Sequence, residues 1–267
     1  MVFCLRVDID TRKGLAKGVP FLRDLAAEYD ANLSFYLPVG GESNLYEIIK
    51  HRKGPSSLKG NHIEKLNTRE KIRTVLFPQN YAKQHQNLLK QLLEEDHEVG
   101  LHGYKHRRWT RDLESINIGG EFEKMIEAYQ EILDKTPKTF AAPAFRTNQE
   151  VLNQLDQHGF VAASDLDGRE PFHPSKNEYS YDHVQVPITL KEGKKPLIES
   201  LRLRNASKKE ILQRIERALE ENDFNSMYLH PSYEALQERE TIKAIFKLLE
   251  KHEENVKTIQ SVGKEYQ

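Results

Sequence analysis

Two histidines that could share one metal ion stand four residues apart in the segment His102-Gly-Tyr-Lys-His106. On a helix this spacing is one turn, so both imidazoles would face the same ion. The spacing alone is weak evidence, because the chain has 11 histidines and some will fall four apart as ordinary surface residues. A nearby carboxylate such as Asp10 strengthens it, since two imidazoles and one carboxylate form a ligand set with open positions. We therefore expect a divalent metal, with Zn²⁺ as the favoured ion.

Asp8 and Asp10 lie two residues apart at the end of an apolar segment predicted to be a strand. Their side chains would leave the same face of that strand. Two adjacent buried carboxylates repel one another unless a cation lies between them. We therefore expect one of the two to bind the metal and the other to act as a base on water. The alternative is that these aspartates form a strand-end turn or a helix cap. That role needs only one aspartate, so it does not explain why two carboxylates leave the same face of the strand.

Hydrophobic periodicity predicts strands and helices that alternate along the chain. The predicted strands are 2–8, 32–37, 98–102, 139–142, 160–164, 183–189, 226–230 and 256–259. The predicted helices are 19–29, 84–95, 120–133, 149–158, 208–221 and 234–252. Such alternation indicates an α/β fold with a mostly parallel sheet. We expect a single domain over residues 1–267, a distorted (β/α) barrel of about seven parallel strands.

Unusual polar residues follow several of these strands. Besides the aspartates and the histidine pair, Arg146, Asp165 and His230 each stand at or just after a predicted strand end. In parallel barrels the carboxyl ends of all strands point to one face, where active sites are built. Segments far apart in sequence would therefore bring carboxylates, imidazoles and a guanidinium together at the carboxyl-terminal end of the barrel, which we call its mouth.

Composition excludes several classes of function. The 40 Lys and Arg against 41 Asp and Glu give a net charge of −1, which argues against a nucleic-acid partner. No segment approaches the ~18 apolar residues of a spanning helix. The first residues lack the pattern of a signal peptide, and we expect a cytoplasmic protein. The single cysteine, Cys4, lies in an apolar strand and is expected to be a core residue rather than a nucleophile.

One segment, at about residues 41–83, does not fit the alternation and is predicted to be a basic insertion. Residues 50–83 contain nine basic and two acidic side chains. Long insertions in compact domains are usually functional or disordered. This one is either a solvated surface excursion or a basic lid that meets an anionic substrate or a membrane surface, and charge alone does not distinguish the two.

The strand-end residues resemble the five motifs of polysaccharide deacetylases of the NodB homology type. The matching segments are Val7-Asp8-Ile9-Asp10, His102 with His106, Ala142-Pro143-Ala144-Phe145-Arg146, Ser164-Asp165-Leu166-Asp167-Gly168 and Leu229-His230-Pro231. The resemblance extends through nearly the whole chain. It is greatest to the branch of deformylases that act on 4-deoxy-4-formamido-arabinose linked to undecaprenyl phosphate. That branch also carries an insertion after the second strand.

The resemblance implies a metal-dependent hydrolase that removes a formyl or acetyl group from an amino sugar, including a lipid-phosphate-linked sugar. It implies that Asp8 is the general base and that Arg146 orients it. His230 would protonate the departing amine, while Asp165 would hold His230. A lipid-linked substrate would place the protein at the inner face of a membrane.

Two alternatives remain open from the sequence. The first is an enzyme of the same fold that cleaves another C–N bond, in a cyclic amide or ureide. The second is a non-catalytic module that binds a sugar or a lipid phosphate. The complete set of metal ligands disfavours the first, and the presence of both a base and an acid disfavours the second.

Overall fold

The structure, a computed structural model, describes residues 1–41, 79–176 and 179–267. Most of the predicted basic insertion lies outside the described residues, so both interpretations of it stay predictions. Its described end, residues 79–83, leads into a short helix. The Asn80 side chain caps this helix by accepting a hydrogen bond from the backbone nitrogen of Lys83 at 3.0 Å.

A parallel sheet forms the centre of the described structure. The strands of the described residues are β1 (Val2–Asp8), β2 (Ser34–Leu37), β3 (Glu98–Leu101), β4 (Thr139–Phe140), β5 (Ala162–Ala163), β6 (Ser175–Lys176), β7 (Tyr179–Ser180), β8 (Val184–Gln185), β9 (Lys191–Glu192), β10 (Lys195–Pro196), β11 (Phe224–Leu229) and β12 (Asn255–Val256). Seven strands follow the order β11-β1-β2-β3-β4-β5-β8, and β12 pairs with the start of β1. All eight predicted strands are confirmed, although several are shorter than predicted.

The sheet curls until its two ends meet. Just beyond β8, Leu190 pairs in parallel with Met227 of β11, and its backbone nitrogen donates to the Ser226 carbonyl oxygen at 2.8 Å. This contact joins the last strand of the path to the first. The predicted distorted barrel of about seven parallel strands is therefore confirmed.

Helices surround the outside of the barrel. Those of the described residues are α1 (Val19–Glu28), α2 (Tyr81–Gln84), α3 (Gln86–Glu94), α4 (His106–Asp112), α5 (Ile118–Leu133), α6 (Gln149–Gln157), α7 (Leu197–Leu203), α8 (Lys208–Glu221), α9 (Glu234–Gln237), α10 (Arg239–Lys251) and α11 (Ile259–Glu265). In α5, Phe122, Met125, Tyr129 and Ile132 recur at three- and four-residue spacing and are all buried. Such a stripe packs against the outer face of the sheet and forms the main core.

Side chains of β1 alternate between the two faces of the barrel wall. Phe3, Leu5 and Val7 belong to the outer core, whereas Cys4 packs in a separate cluster that fills the interior. Cys4 is fully buried, and burial raises the pKa of its thiol above the ordinary value. A buried, protonated thiol is a poor nucleophile, so the prediction of a core residue is confirmed.

A buried glutamate closes the amino-terminal end of the barrel. Glu98, the first residue of β3, accepts hydrogen bonds from Ser34 Oγ at 3.0 Å and Tyr36 Oη at 2.5 Å. It also accepts one from the backbone nitrogen of Gln260 at 2.7 Å, in the first turn of α11. This carboxylate therefore ties the last helix to the barrel floor.

Tertiary contacts change two predicted elements near the carboxyl terminus. The predicted helix 234–252 divides into α9 and α10 at Glu238, whose carboxylate binds the Arg202 guanidinium through two bonds of 2.8 Å. The predicted strand 256–259 ends at Val256 instead. Thr258 then caps α11 by accepting a hydrogen bond from the backbone nitrogen of Ser261.

Candidate active site

The histidine pair and Asp10 converge at the carboxyl ends of β1 and β3. The Nε2 atoms of His102 and His106 each lie 3.3 Å from Asp10 Oδ1. One ligand atom from each of the three residues lies within 4.8 Å of the other two. The predicted convergence at one mouth of the barrel is therefore present for these three residues.

The four-residue spacing suggested that the two histidines share one helix turn, but they do not. His102 follows β3, and His106 is the first residue of α4, so a loop joins them. Gly103 in this loop has a φ of 77°, a conformation that glycine adopts without steric cost. The chain reverses there, and the two rings come to 5.2 Å between centroids.

The donor set fits the predicted divalent metal. The ring Nδ1 of His102 lies 2.6 Å from the carbonyl oxygen of Ala141. In the tautomer that donates this hydrogen bond, Nε2 carries the lone pair and faces Asp10. The Asp10 side chain is only 1% exposed. Two imidazoles and one buried carboxylate are the ligands of a catalytic Zn-type site with an open position.

Asp8 is held by an arginine from its own strand. Arg6 Nε lies 2.7 Å from Asp8 Oδ1, and Arg6 Nη2 lies 2.8 Å from Oδ2. Both side chains are buried, because residues two apart on β1 point into the barrel together. Burial acts to raise the pKa of Asp8, but the charges of Arg6 and His102 and the hydrogen bonds from Arg6 together lower it. Asp8 is therefore a carboxylate, with Oδ2 at 4.0 Å from His102 Nε2.

Aromatic rings and a carbonyl oxygen enclose the Arg6 guanidinium inside the barrel. Its central carbon lies 4.8 Å from the Phe145 ring centroid and 5.7 Å from that of Tyr228. Its Nη1 donates to the carbonyl oxygen of Ser164. Phe145 reaches this place because it and Ala144 both have φ values near 50–55°. A non-glycine residue in that region is strained.

Arg146 does not reach Asp8. Its Nη1 donates to the Thr110 carbonyl oxygen at 2.7 Å, and its Nη2 lies 3.1 Å from Glu114 Oε1. The predicted arginine beside Asp8 is therefore corrected from Arg146 to Arg6. The reason is geometric: Arg6 precedes Asp8 by two residues on β1 and shares its face, whereas the Arg146 side chain turns toward α4.

Asp165 lies beside the Arg6 region, where backbone and side-chain groups hold it. Its Oδ1 accepts a hydrogen bond from the backbone nitrogen of Ala142, and its own backbone nitrogen donates to Gln185 Oε1 at 3.0 Å. Burial raises the pKa of Asp165 to about 6, although the charge of Arg6 acts in the opposite direction.

His230 stands at the end of β11 and completes the mouth. Its Nε2 lies 3.3 Å from Asp10 Oδ2, and its Nδ1 lies 3.8 Å from Glu199 Oε2. Its backbone nitrogen donates to Glu234 Oε2 at 2.9 Å. Pro231, the residue after His230, packs closely against Gly18. A Cβ at position 18 would lie 2.4 Å from the Pro231 carbonyl oxygen. The backbone at His230 is therefore fixed, and a carboxylate faces each ring nitrogen of the imidazole.

Sequence reasoning missed two residues of this site, Arg6 and Glu199. Arg6 had a signal, since a charged residue inside an apolar strand and two residues from Asp8 must share its face. Glu199 lies in α7, between the predicted strand 183–189 and the predicted helix 208–221, where no element was predicted from sequence. An apolar pair, Leu197 and Ile198, with Leu201 at helical spacing was the available signal for that helix.

Comparison with known proteins shows which families this chain resembles. The family model for polysaccharide deacetylases matches residues 54–163. Solved structures with the same fold include a polysaccharide deacetylase of Mycobacterium smegmatis described as putative, with a TM-score of 0.64 at 14% identity over 99% of this chain and 89% of that one. The Puue allantoinase gives a TM-score of 0.66 at 12% identity over 98% and 89%. The fold is thus that of the NodB-like deacetylase barrel, and the resemblance to polysaccharide deacetylases is confirmed.

Two curated relatives narrow the comparison. Both are named probable 4-deoxy-4-formamido-L-arabinose-phosphoundecaprenol deformylase ArnD. The protein of Shewanella sediminis is 25% identical over 193 residues, which cover 70% of this chain and 62% of that protein. The protein of Wigglesworthia glossinidia brevipalpis is 31% identical over 105 residues, 36% of this chain and 35% of that protein. The chain thus spans less than two thirds of the length of these relatives.

The same barrel also occurs in a protein described as a pseudoenzyme. A structure described as a pseudoenzyme of the CE4 family from Bacillus anthracis has a TM-score of 0.56 at 14% identity, over 100% of this chain and 66% of that one. An allantoinase and a pseudoenzyme therefore share this fold with deacetylases. The fold alone does not select among these functions, so the site residues must do so.

No helix among the described residues is long and apolar enough to cross a membrane.

Proposed function

We propose that this protein is a metal-dependent amidohydrolase that removes a formyl or acetyl group from the nitrogen of an amino sugar. The observation that carries the proposal is the convergence of Asp10, His102 and His106 beside the two further groups that hydrolysis needs. Asp8 supplies a carboxylate base and His230 supplies an imidazole acid, and both lie within 4.0 Å of that ligand set. We further propose that residues 1–267 act as one catalytic domain.

Asp10, His102 and His106 would hold the metal. A divalent ion held there would supply Lewis-acid chemistry, polarising the amide carbonyl and making water a stronger acid. Asp8 takes a proton from the attacking water as the oxygen adds to the carbonyl carbon. Arg6 keeps Asp8 ionised and correctly oriented during this step. His230 gives a proton to the nitrogen as the C–N bond breaks, so the products are a carboxylic acid and a free amine.

The two alternatives make different demands on this site. A cyclic amide or ureide hydrolase shares the barrel, and a binding module would keep the barrel without turnover. Deacylation is favoured because a metal-ligand set, a base and an acid occur together in one mouth. A binding module has no use for a buried carboxylate held ionised by an arginine.

For the substrate, we propose an acylated amino sugar linked to a lipid phosphate. Support comes from the two curated relatives, whose names specify a formamido sugar joined to phosphoundecaprenol. Such a substrate lies at a membrane surface, so we place the protein in the cytoplasm and at the periphery of the inner membrane face.

The proposed function predicts acid release. Metal-loaded protein should be incubated with formamido and acetamido sugars, both free and linked to a lipid phosphate. It should release formate or acetate, and one new free amine should form for each acid released. Treatment with a chelator should stop release, and added Zn²⁺ should restore it, because the reaction needs the ion. Absence of acid from every acylated sugar would contradict the proposal, and opening of a cyclic ureide would then support the first alternative.

A further inference from the structure

The imidazole of His230 lies between two carboxylates. Its Nε2 faces Asp10 Oδ2 at 3.3 Å, and its Nδ1 faces Glu199 Oε2 at 3.8 Å. The Tyr228 ring meets the imidazole nearly edge-on, at 5.6 Å between centroids and an interplanar angle of 81°. The ring is therefore directed along a line from Glu199 to the metal-ligand set.

Glu199 reaches this line because α7 is fixed at both of its ends. At the start of the helix, Leu197 and Ile198 are each 1% exposed and anchor it in the core. Near its end, Arg202 forms two bonds of 2.8 Å to Glu238, at the junction of α9 and α10. The Glu199 side chain between these anchors is 18% exposed.

The hairpin before α7 is tied to the same site. The Tyr228 hydroxyl donates to the Lys194 carbonyl oxygen at 2.9 Å, between β9 and β10. The ring that contacts His230 therefore also holds the segment that leads to Glu199. His230 and Glu199 belong to distant parts of the sequence, but the described contacts place them in one rigid arrangement.

We infer that Glu199 is a positioning residue for His230. A carboxylate opposite Nδ1 favours the tautomer and ring orientation in which Nε2 faces the reacting atoms. The sequence resemblance assigned this role to Asp165, which instead binds the backbone of Ala142. The inference rests on the proposed function, because it assumes that His230 delivers the proton to the leaving amine.

The test compares Glu199→Gln and Glu199→Asp with a control, Glu192→Gln. Glu192 lies on β9, and its Oε2 pairs with Arg204 Nη2 at 2.9 Å, away from His230. In Glu199→Gln we expect kcat to fall by about 10–100-fold, as for supporting partners of other catalytic histidines, with KM and metal content unchanged. Glu199→Asp should recover part of the loss, and Glu192→Gln should match the wild type.

A second measurement does not depend on activity. In the zinc-loaded wild type, the ¹⁵N chemical shifts of His230 should show that Nδ1, the nitrogen that faces Glu199, carries a proton, which leaves Nε2 as the nitrogen that takes up and releases the transferred proton. In Glu199→Gln the Nδ1 shift should change toward that of a partly unprotonated nitrogen. Unchanged shifts together with unchanged kcat would overturn the role of Glu199, while acid release by the wild type would leave the proposed function standing.

Two further outcomes are decisive. Loss of metal from Glu199→Gln would also overturn the inference, because it would make Glu199 a structural support of the ligand set. If the wild type releases no acid at all, the proposed function fails, and the ¹⁵N shifts alone then decide whether Glu199 positions the ring.

Discussion

Replacing Arg6 with methionine is expected to destabilise the protein by roughly 3–5 kcal/mol, because it leaves the Asp8 carboxylate buried without its partner. Both side chains are almost completely inaccessible, so water cannot replace the lost hydrogen bonds. Urea denaturation of wild type and Arg6→Met measures the difference. Acid release should fall as well, since the base would lose its orientation.

A double variant separates the charge effect from a simple packing defect. Arg6→Met combined with Asp8→Leu removes both charges, and exchanging a complete buried ion pair for apolar groups is often nearly neutral. We expect the double variant to recover most of the lost stability while remaining inactive. A single variant as stable as wild type, or a double variant no better than the single, would contradict the assigned pair.

The destabilisation by Arg6→Met should also depend on pH. The pKa of Asp8 is lowered in the folded protein, so the pair contributes its full stability above the unfolded value of about 3.9. That contribution is lost as the pH falls through the lower folded value. The difference in stability between wild type and Arg6→Met should therefore narrow as the solution becomes acidic.

Replacing His230 with alanine should lower kcat by about 10²–10⁴-fold, the usual contribution of a general acid. The metal should remain, because Asp10, His102 and His106 are unchanged. Kinetic assays of acid release together with elemental analysis of the same sample measure both quantities.

His252→Ala is the matched control for this variant. His252 is also a partly buried histidine near a carboxylate, with Nε2 at 3.5 Å from Glu216 Oε1, but it lies on the outer helices. It should keep wild-type turnover. If His230→Ala also turned over at the wild-type rate, another group would be the acid.

Much of the candidate metal site was predictable from sequence because it depends on strand ends. Strands are recognisable from short apolar segments, and parallel strands bring their carboxyl ends together. Asp10, His102 and His106 therefore converge as expected, even though a loop rather than a helix turn joins the two histidines.

The partners of the proposed base, Asp8, and of the proposed acid, His230, were harder to predict. Arg6 was overlooked because a buried arginine is rare and the motif resemblance pointed to Arg146. Glu199 was overlooked because its helix is short and follows a hairpin whose pairing is set by tertiary contacts. A tertiary contact also explains why the predicted helix 234–252 divides at Glu238. There Glu238 binds Arg202, which lies 36 residues earlier in the sequence.

The most direct test of the central claim is the metal content of the purified wild-type protein and of His102→Ala, measured by elemental analysis after loading with Zn²⁺ and dialysis. The site predicts about one divalent ion per wild-type chain and none in the variant, because a carboxylate and a single imidazole are too few protein ligands for a catalytic zinc site. A wild-type chain that retains no metal, or a variant that retains as much as wild type, would contradict the assignment of Asp10, His102 and His106 as the metal ligands.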